Sequence, residues 1–439
     1  MAVCNRCLPK LTVPAPLSRL SPAITGVSRA SSTVTGVARV APASFPALHG
    51  VRAVAAVSVV AFHVQQGTHP PAHTTFGTLG RFAAHLNVGV AVFFLLSGFL
   101  LYRPFVLARI QGRSIATGSY VVRRLTRIVP AYWLALLVLS FWPGVQGFFS
   151  GSWLASVAFL QIYVRDWNTT GLAVAWSLCA ELSFYLALPL YARLVDALRR
   201  RRGASAAVRW EIVALAVIGA ASLALHTALG RASSGDLGLT LPATAYLFAA
   251  GMLLAICSVH SETHLSSALR RIGERRVLCW LGALAVFVAI GVYFSSIDTD
   301  PTQPWNALYA LVAFLMLLPL TLAPSRTARL DRVLSSRLAV ELGAISYGIY
   351  LWHSSLIGWM EHVSGSVGQL GDGFGVFVLT LAASCLAASV SYYALERPLL
   401  ALVHRRSLAR TTPRAERTAR QGRPPGRRRR AAEFARQSG

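Results

Sequence analysis

Charge is scarce in this chain, and acid scarcer still: 13% of the 439 residues are charged, with 16 acidic residues against 42 basic ones. That scarcity excludes a soluble multidomain protein. With 54% hydrophobic residues and a mean hydropathy of +0.53, the chain reads as a polytopic membrane protein. A net charge of +26 would suggest nucleic acid in a soluble protein. Here basic patches interleaved with aromatics are missing outside the apolar segments, so no nucleic-acid partner is expected. The arginines sit between apolar spans, where they set topology and meet anionic lipid. Six cysteines build no disulfide framework. Cys179, Cys257, Cys279 and Cys385 lie in or beside apolar segments, and Cys4 and Cys7 form a lone C-x-x-C without the further ligands of a zinc site. No metal and no bound cofactor is expected. No internal repeat of clear period appears, so the inverted-repeat signature of many transporters is missing.

What is present is a series of apolar runs. Ten segments approach the ~20 residues that cross the hydrocarbon: 47–64, 84–106, 128–147, 174–194, 210–229, 240–258, 277–295, 305–323, 341–361 and 375–396. An eleventh stretch, 153–163, is too short and reads as interfacial or re-entrant. The loops alternate in charge. Arg109, Arg113, Arg123, Arg124 and Arg127 fall between spans two and three, and arginine groups recur between four and five, six and seven, and eight and nine. The intervening loops hold Asp166, Asp236, Asp298, Asp300 and Asp372. The positive-inside rule then places both termini in the cytoplasm, which agrees with an even number of crossings. The expected fold is all-α: a transmembrane domain over 45–402, preceded by a disordered extension over 1–44 and followed by a basic, lipid-facing disordered tail over 403–439. The extension has no acid and no continuous apolar run, unlike a secretory signal, and its composition is shared with transit peptides.

Five constellations carry polar residues into or against the spans. Arg52 and His63 are eleven residues apart, about three helical turns and about 16 Å along one face. Ionisable residues inside a membrane helix are costly, which marks the pair as a candidate site. Arg124 and Arg127 are neighbours at i,i+3 near the cytoplasmic mouth of span three, and the planar guanidinium fork suits phosphate. Trp176, Ser177 and Glu181 open span four, and Glu181 is the only carboxylate in the first four spans. Tyr347, Tyr350 and His353 or Ser354 form a polar stripe in span nine, a string that interfacial anchoring alone also produces. Glu396 and Arg397 close the last span and read most simply as a structural ion pair.

Taken together these segments resemble the bacterial acyltransferase 3 family, from about Phe45 to Leu402. The segment Leu48-His49-Gly50-Val51-Arg52 followed by His63 resembles the family's Leu-Asp-Gly-Leu-Arg and later His, with His49 in place of the usual Asp. Ser97 and Gly98 match its Ser-Gly-Phe, and Arg124 and Arg127 its Arg-x-x-Arg. Trp176-Ser177-Leu178 with Glu181 matches Trp-Ser-Leu-x-x-Glu, and the 347–353 and 396–398 segments match its closing motifs. The stand-alone form is expected, without a C-terminal hydrolase-like domain. The resemblance implies a multi-pass protein of the bacterial cell membrane. It would transfer an acyl group, often acetyl, from acyl-CoA to a hydroxyl of a carbohydrate or small molecule. His63 is then the best-placed general base, with Glu181 as a second catalytic candidate. Arg52, Arg124 and Arg127 would meet the phosphates of CoA. Ser97, Trp176, Ser177, Tyr350, His353, Glu396 and Arg397 would support the site or face the acceptor. A covalent acyl-His63 relay is the other route, while the lack of G-x-S-x-G, and of any His followed five residues later by Asp, disfavours hydrolase-like and glycerolipid-acyltransferase chemistry. The competing reading is a proton-coupled transporter or flippase using the same ionisable residues.

Overall fold

The computed structural model describes residues 45–67, 79–142, 144, 153–164, 171–231, 235–294, 305–325, 327–364 and 373–411. The extension over 1–44 and the tail over 412–439 lie outside them. Among the described residues the chain is helical and holds no strand. Ten long helices among the described residues, numbered in chain order, form the body: α1 Ala47–Gly67, α2 Val88–Ile110, α3 Thr117–Phe141, α4 Trp176–Arg202 and α5 Ala204–Arg231 make the first half. α6 Leu241–Val259, α7 Arg276–Tyr293, α8 Asn306–Leu322, α9 Arg337–Ser364 and α10 Gly373–Ser391 make the second. Eight of these, α1 to α7 and α10, are long and apolar enough to cross a membrane. α8 has 17 residues. α9 is long enough, but Ser346, Tyr347, Tyr350 and His353 interrupt its apolar run, and Ser346 and His353 are fully buried. The chain is a multi-pass membrane protein.

Three elements differ from the sequence expectation. α3 begins at Thr117, well before the expected 128, and ends at Phe141. An apolar window cannot see its first turns because they carry Arg123, Arg124 and Arg127. Those turns are helix-compatible all the same, and they bury Tyr120 and Ile128 on one side. Arg109 belongs to α2 and is no loop anchor: its Nε pairs with Asp196 at 2.7 Å and its Nη1 with Glu211 at 3.3 Å. Tyr102 also donates to Glu211, which is only 2% exposed, so the carboxylate has partners where it is buried. The helix Arg397–Thr411 continues past Leu402, so the first residues of the expected tail are helical. The short stretch after α3 is as expected too brief to cross, being split into Trp153–Val157 and a 3₁₀ turn, Gln161–Tyr163.

Close helix approach sets the geometry of the interior, because a membrane offers no hydrophobic drive to bring two helices together and tight packing must do it. A Cβ at Gly98 would lie 2.2 Å from the Phe248 carbonyl oxygen, so α2 and α6 touch backbone to backbone. A Cβ at Gly343 would lie 2.1 Å from the His49 carbonyl oxygen, which holds the start of α9 against the start of α1. Gly343→Ala is therefore expected to cost roughly 1–3 kcal/mol through overpacking. It should lower the melting temperature in detergent, whereas Gly358→Ala, in open space on the same helix, should not. Equal melting temperatures for the two variants would refute this account of the α1–α9 contact.

Candidate active site

The helical period of α1 turns both Arg52 and His63 inward, at two levels of the bundle. At the Arg52 level the first turns of α3 contribute Arg124 and Arg127, both partly buried, while Arg123 between them is exposed. Arg52 lies in electrostatic reach of Arg127, Glu181, Tyr185 and Arg124. Glu396 is buried in the π-helical turn Tyr392–Glu396. The cations facing it are Arg127 and Arg52. Three guanidiniums thus meet two carboxylates, leaving an excess of positive charge. Glu181 is already engaged, since its Oε1 accepts from the hydroxyls of Ser97 and Tyr185. The arginines are not: Arg52 Nε is buried without a partner, and among the described residues none of the three joins a hydrogen bond or ion pair. Unfilled guanidinium donors with net positive charge have the chemistry that suits an anion.

Arg52, Ser97, Ser177, Glu181, Tyr347 and Tyr350 line a cavity of about 60 Å³. A second cavity of about 150 Å³ is lined by His63, Gln66, Asn87, Trp176, His226 and Tyr309, among others. The two share Val90, Phe94 and Tyr350 as walls, so they lie end to end inside the bundle. Tyr350 is held at this divide: its hydroxyl donates to the Val174 carbonyl at 2.9 Å and lies 2.7 Å from Ser177 Oγ. Trp176 packs edge-on against Phe94, with centroids 6.1 Å apart. His63, which lines the second cavity, meets His353 of α9, with 3.1 Å between His63 Nδ1 and His353 Nε2.

The structure brings together most of the residues singled out in the sequence. Arg52, Arg124, Arg127, Glu181 and Ser97 share one level, and His63, Trp176 and His353 the other, with Ser177 and Tyr350 between them. Arg397 is the exception. It is exposed and stacks over the Tyr393 ring at 5.7 Å, while Glu396 turns inward, so the expected ion pair does not form. Consecutive helical residues point about 100° apart and do not face each other. His49 is exposed and supplies no charge for Arg52; the acids in its place are Glu181 and Glu396. Sequence reading missed Tyr185, whose i+4 spacing from Glu181 was legible. It also missed Asn87, His226 and Tyr309. His226 alone carried a signal, as an ionisable residue within an apolar span.

A helical membrane bundle that closes around an arginine cluster and a histidine pair defines a multi-pass protein with a buried polar site. The chain belongs to the acyltransferase 3 family: the family model, an acyltransferase domain, matches residues 45–395. It is 26% identical over 377 residues to the putative peptidoglycan O-acetyltransferase YrhL of Bacillus subtilis, covering 81% of this chain and 54% of YrhL. It is 28% identical over 304 residues to Nodulation protein 10 of Rhizobium leguminosarum bv. viciae, covering 62% of this chain and 74% of that protein. Against O-acetyltransferase OatA of Staphylococcus aureus it is 21% identical over 376 residues, covering 82% of this chain and 57% of OatA. The chain spans about half the length of YrhL and OatA. No solved structure matches it.

Proposed function

We propose that this protein is a membrane O-acyltransferase that moves an acyl group, acetyl in the first instance, from acyl-CoA to a hydroxyl of a glycan or small metabolite. One observation carries the reading: unfilled guanidiniums at one end of two adjoining cavities, and a histidine pair at the other. The phosphates of CoA meet Arg52, Arg124 and Arg127, and the pantetheine arm runs past Tyr350 toward His63. His63 takes the proton of the acceptor hydroxyl as the oxygen attacks the thioester carbonyl. The C–O bond forms, the C–S bond breaks, and the departing thiolate of CoA regains that proton from His63. Glu181, capped by Ser97 and Tyr185, offsets the arginine charge. Carbohydrate as the acceptor class is supported by the relatives named as peptidoglycan and O-acetyl transferases.

Ten crossings with both termini in the cytoplasm complete the reading. The arginine-rich loops on alternate sides support it. So does the parallel run of α1 and α9, which touch at His49 and Gly343 and again at His63 and His353, as two odd-numbered crossings must. The phosphate site then faces the cytoplasm, where acyl-CoA is made. Purified protein in proteoliposomes, given radiolabelled acetyl-CoA and peptidoglycan fragments or hydroxylated small molecules, is expected to leave alkali-labile label on the acceptor. One CoA should be released per ester formed. Movement of an acceptor across the bilayer with acetyl-CoA untouched would overturn the enzyme in favour of a transporter.

A further inference from the structure

We infer that His353 is the positioning residue for His63, fixing its tautomer so that Nε2 is the basic atom. The inference rests on the reading of His63 as general base. Four hydrogen-bond distances determine the protons. His353 Nδ1 lies 2.9 Å from the Tyr350 carbonyl oxygen and 3.2 Å from that of Ile349. A carbonyl can only accept, so His353 carries its proton on Nδ1, and a neutral ring then has a lone pair on Nε2. That lone pair meets His63 Nδ1 at 3.1 Å. His63 Nδ1 is also 3.0 Å from the Val59 carbonyl oxygen. Both neighbours of His63 Nδ1 are acceptors, so Nδ1 carries the proton and shares it between them. The remaining nitrogen, Nε2, is left unprotonated on a ring that lines the larger cavity.

Within its helix His63 has only the Val59 carbonyl, which holds the ring loosely about one axis. His353 adds a second acceptor from another helix, and His353 itself is fully buried and tied to its own backbone. The same acceptor stabilises the imidazolium that forms when Nε2 takes the acceptor proton, because both of its neighbours at Nδ1 then receive from a charged donor. Glu181 does not share this task, as it lines the other cavity and is bound by Ser97 and Tyr185. α1 and α9 approach closely at His49 and Gly343, and the two rings meet farther along the same pair of helices.

The test compares His353→Phe, which keeps bulk and removes the acceptor, with His353→Gln, whose Oε1 reaches the place of Nε2. His353→Phe is expected to lower kcat about 10- to 100-fold with acceptor KM little changed, and His353→Gln to recover most of that loss. Placed on His63→Ala, His353→Phe should cause no further loss, because a residue acting through His63 has nothing left to position. Nitrogen shifts of labelled histidine in the unmutated protein read the tautomer without any variant, and His63 is expected to be protonated at Nδ1. Equal losses for Phe and Gln, a multiplied loss on the His63→Ala background, or a proton found on Nε2 of His63 would each overturn the inference. Full activity of His63→Ala alone would instead remove the base reading, while the measured tautomer still decides the positioning claim.

Discussion

His63→Ala is expected to lower acyl transfer by about 10²- to 10⁴-fold at saturating acetyl-CoA, the range that a positioned general base contributes. A hydroxyl is a weak nucleophile at neutral pH, so the proton must leave as the C–O bond forms. Among the residues lining the larger cavity, His63 is the one whose lone pair the hydrogen-bond pattern assigns to Nε2. Its ring is partly exposed to that cavity, so truncation opens space without leaving a buried group unpaired other than His353 Nε2. The variant should accordingly insert into the membrane and melt close to the unmutated protein. Acetyl-CoA binding should also persist, because Arg52 stands about 16 Å away along α1 and Arg124 and Arg127 belong to α3. Retained donor binding with lost turnover separates a chemical role from a folding defect. Initial rates of ester formation, with donor affinity measured by calorimetry, check both halves. A variant within tenfold of full rate would remove His63 as the base.

How much of this was legible in the sequence depends on the kind of interaction. The apolar runs were legible because a bilayer requires each spanning backbone to satisfy its own hydrogen bonds, which forces long uninterrupted helices. The start of α3 was not, because Arg124 and Arg127 lower the hydropathy of turns that are helical all the same. Arg109 looked like one more cytoplasmic arginine because its partners, Asp196 and Glu211, lie 87 and 102 residues away and only folding brings them near. The histidine pair shows the same limit at 290 residues. His63 and His353 were each visible as polar interruptions of an apolar face, yet nothing local says that one ring is the other's acceptor. Motif order pointed to the family. Only the packed helices showed that Glu396 faces Arg127 and Arg52 while Arg397 turns outward.

Arg124→Ala is expected to raise KM for acetyl-CoA about 10- to 100-fold while kcat at saturating donor changes little, since a hydrogen bond to a charged group is worth about 1.5–3 kcal/mol. The sign of its effect on the unliganded protein is opposite. Arg52, Arg124 and Arg127 lie in electrostatic reach of one another and of only two carboxylates, Glu181 and Glu396, and Arg52 Nε has no partner, so like charges outnumber opposite ones. Removing one cation relieves that repulsion, so the unliganded variant should melt at or above the temperature of the unmutated protein, while the upward shift caused by acetyl-CoA shrinks. A donor without phosphates, acetyl-pantetheine, isolates the contact. The unmutated protein should favour acetyl-CoA over it, and Arg124→Ala should lose most of that preference. Arg124→Lys should restore the charge but little of the discrimination, because a point charge cannot make the two parallel bonds of a guanidinium to a phosphate. If Arg124→Ala instead lowers kcat for both donors equally and melts early, the arginine serves helix packing. The charge excess at the Arg52 level would then belong to topology and not to the donor.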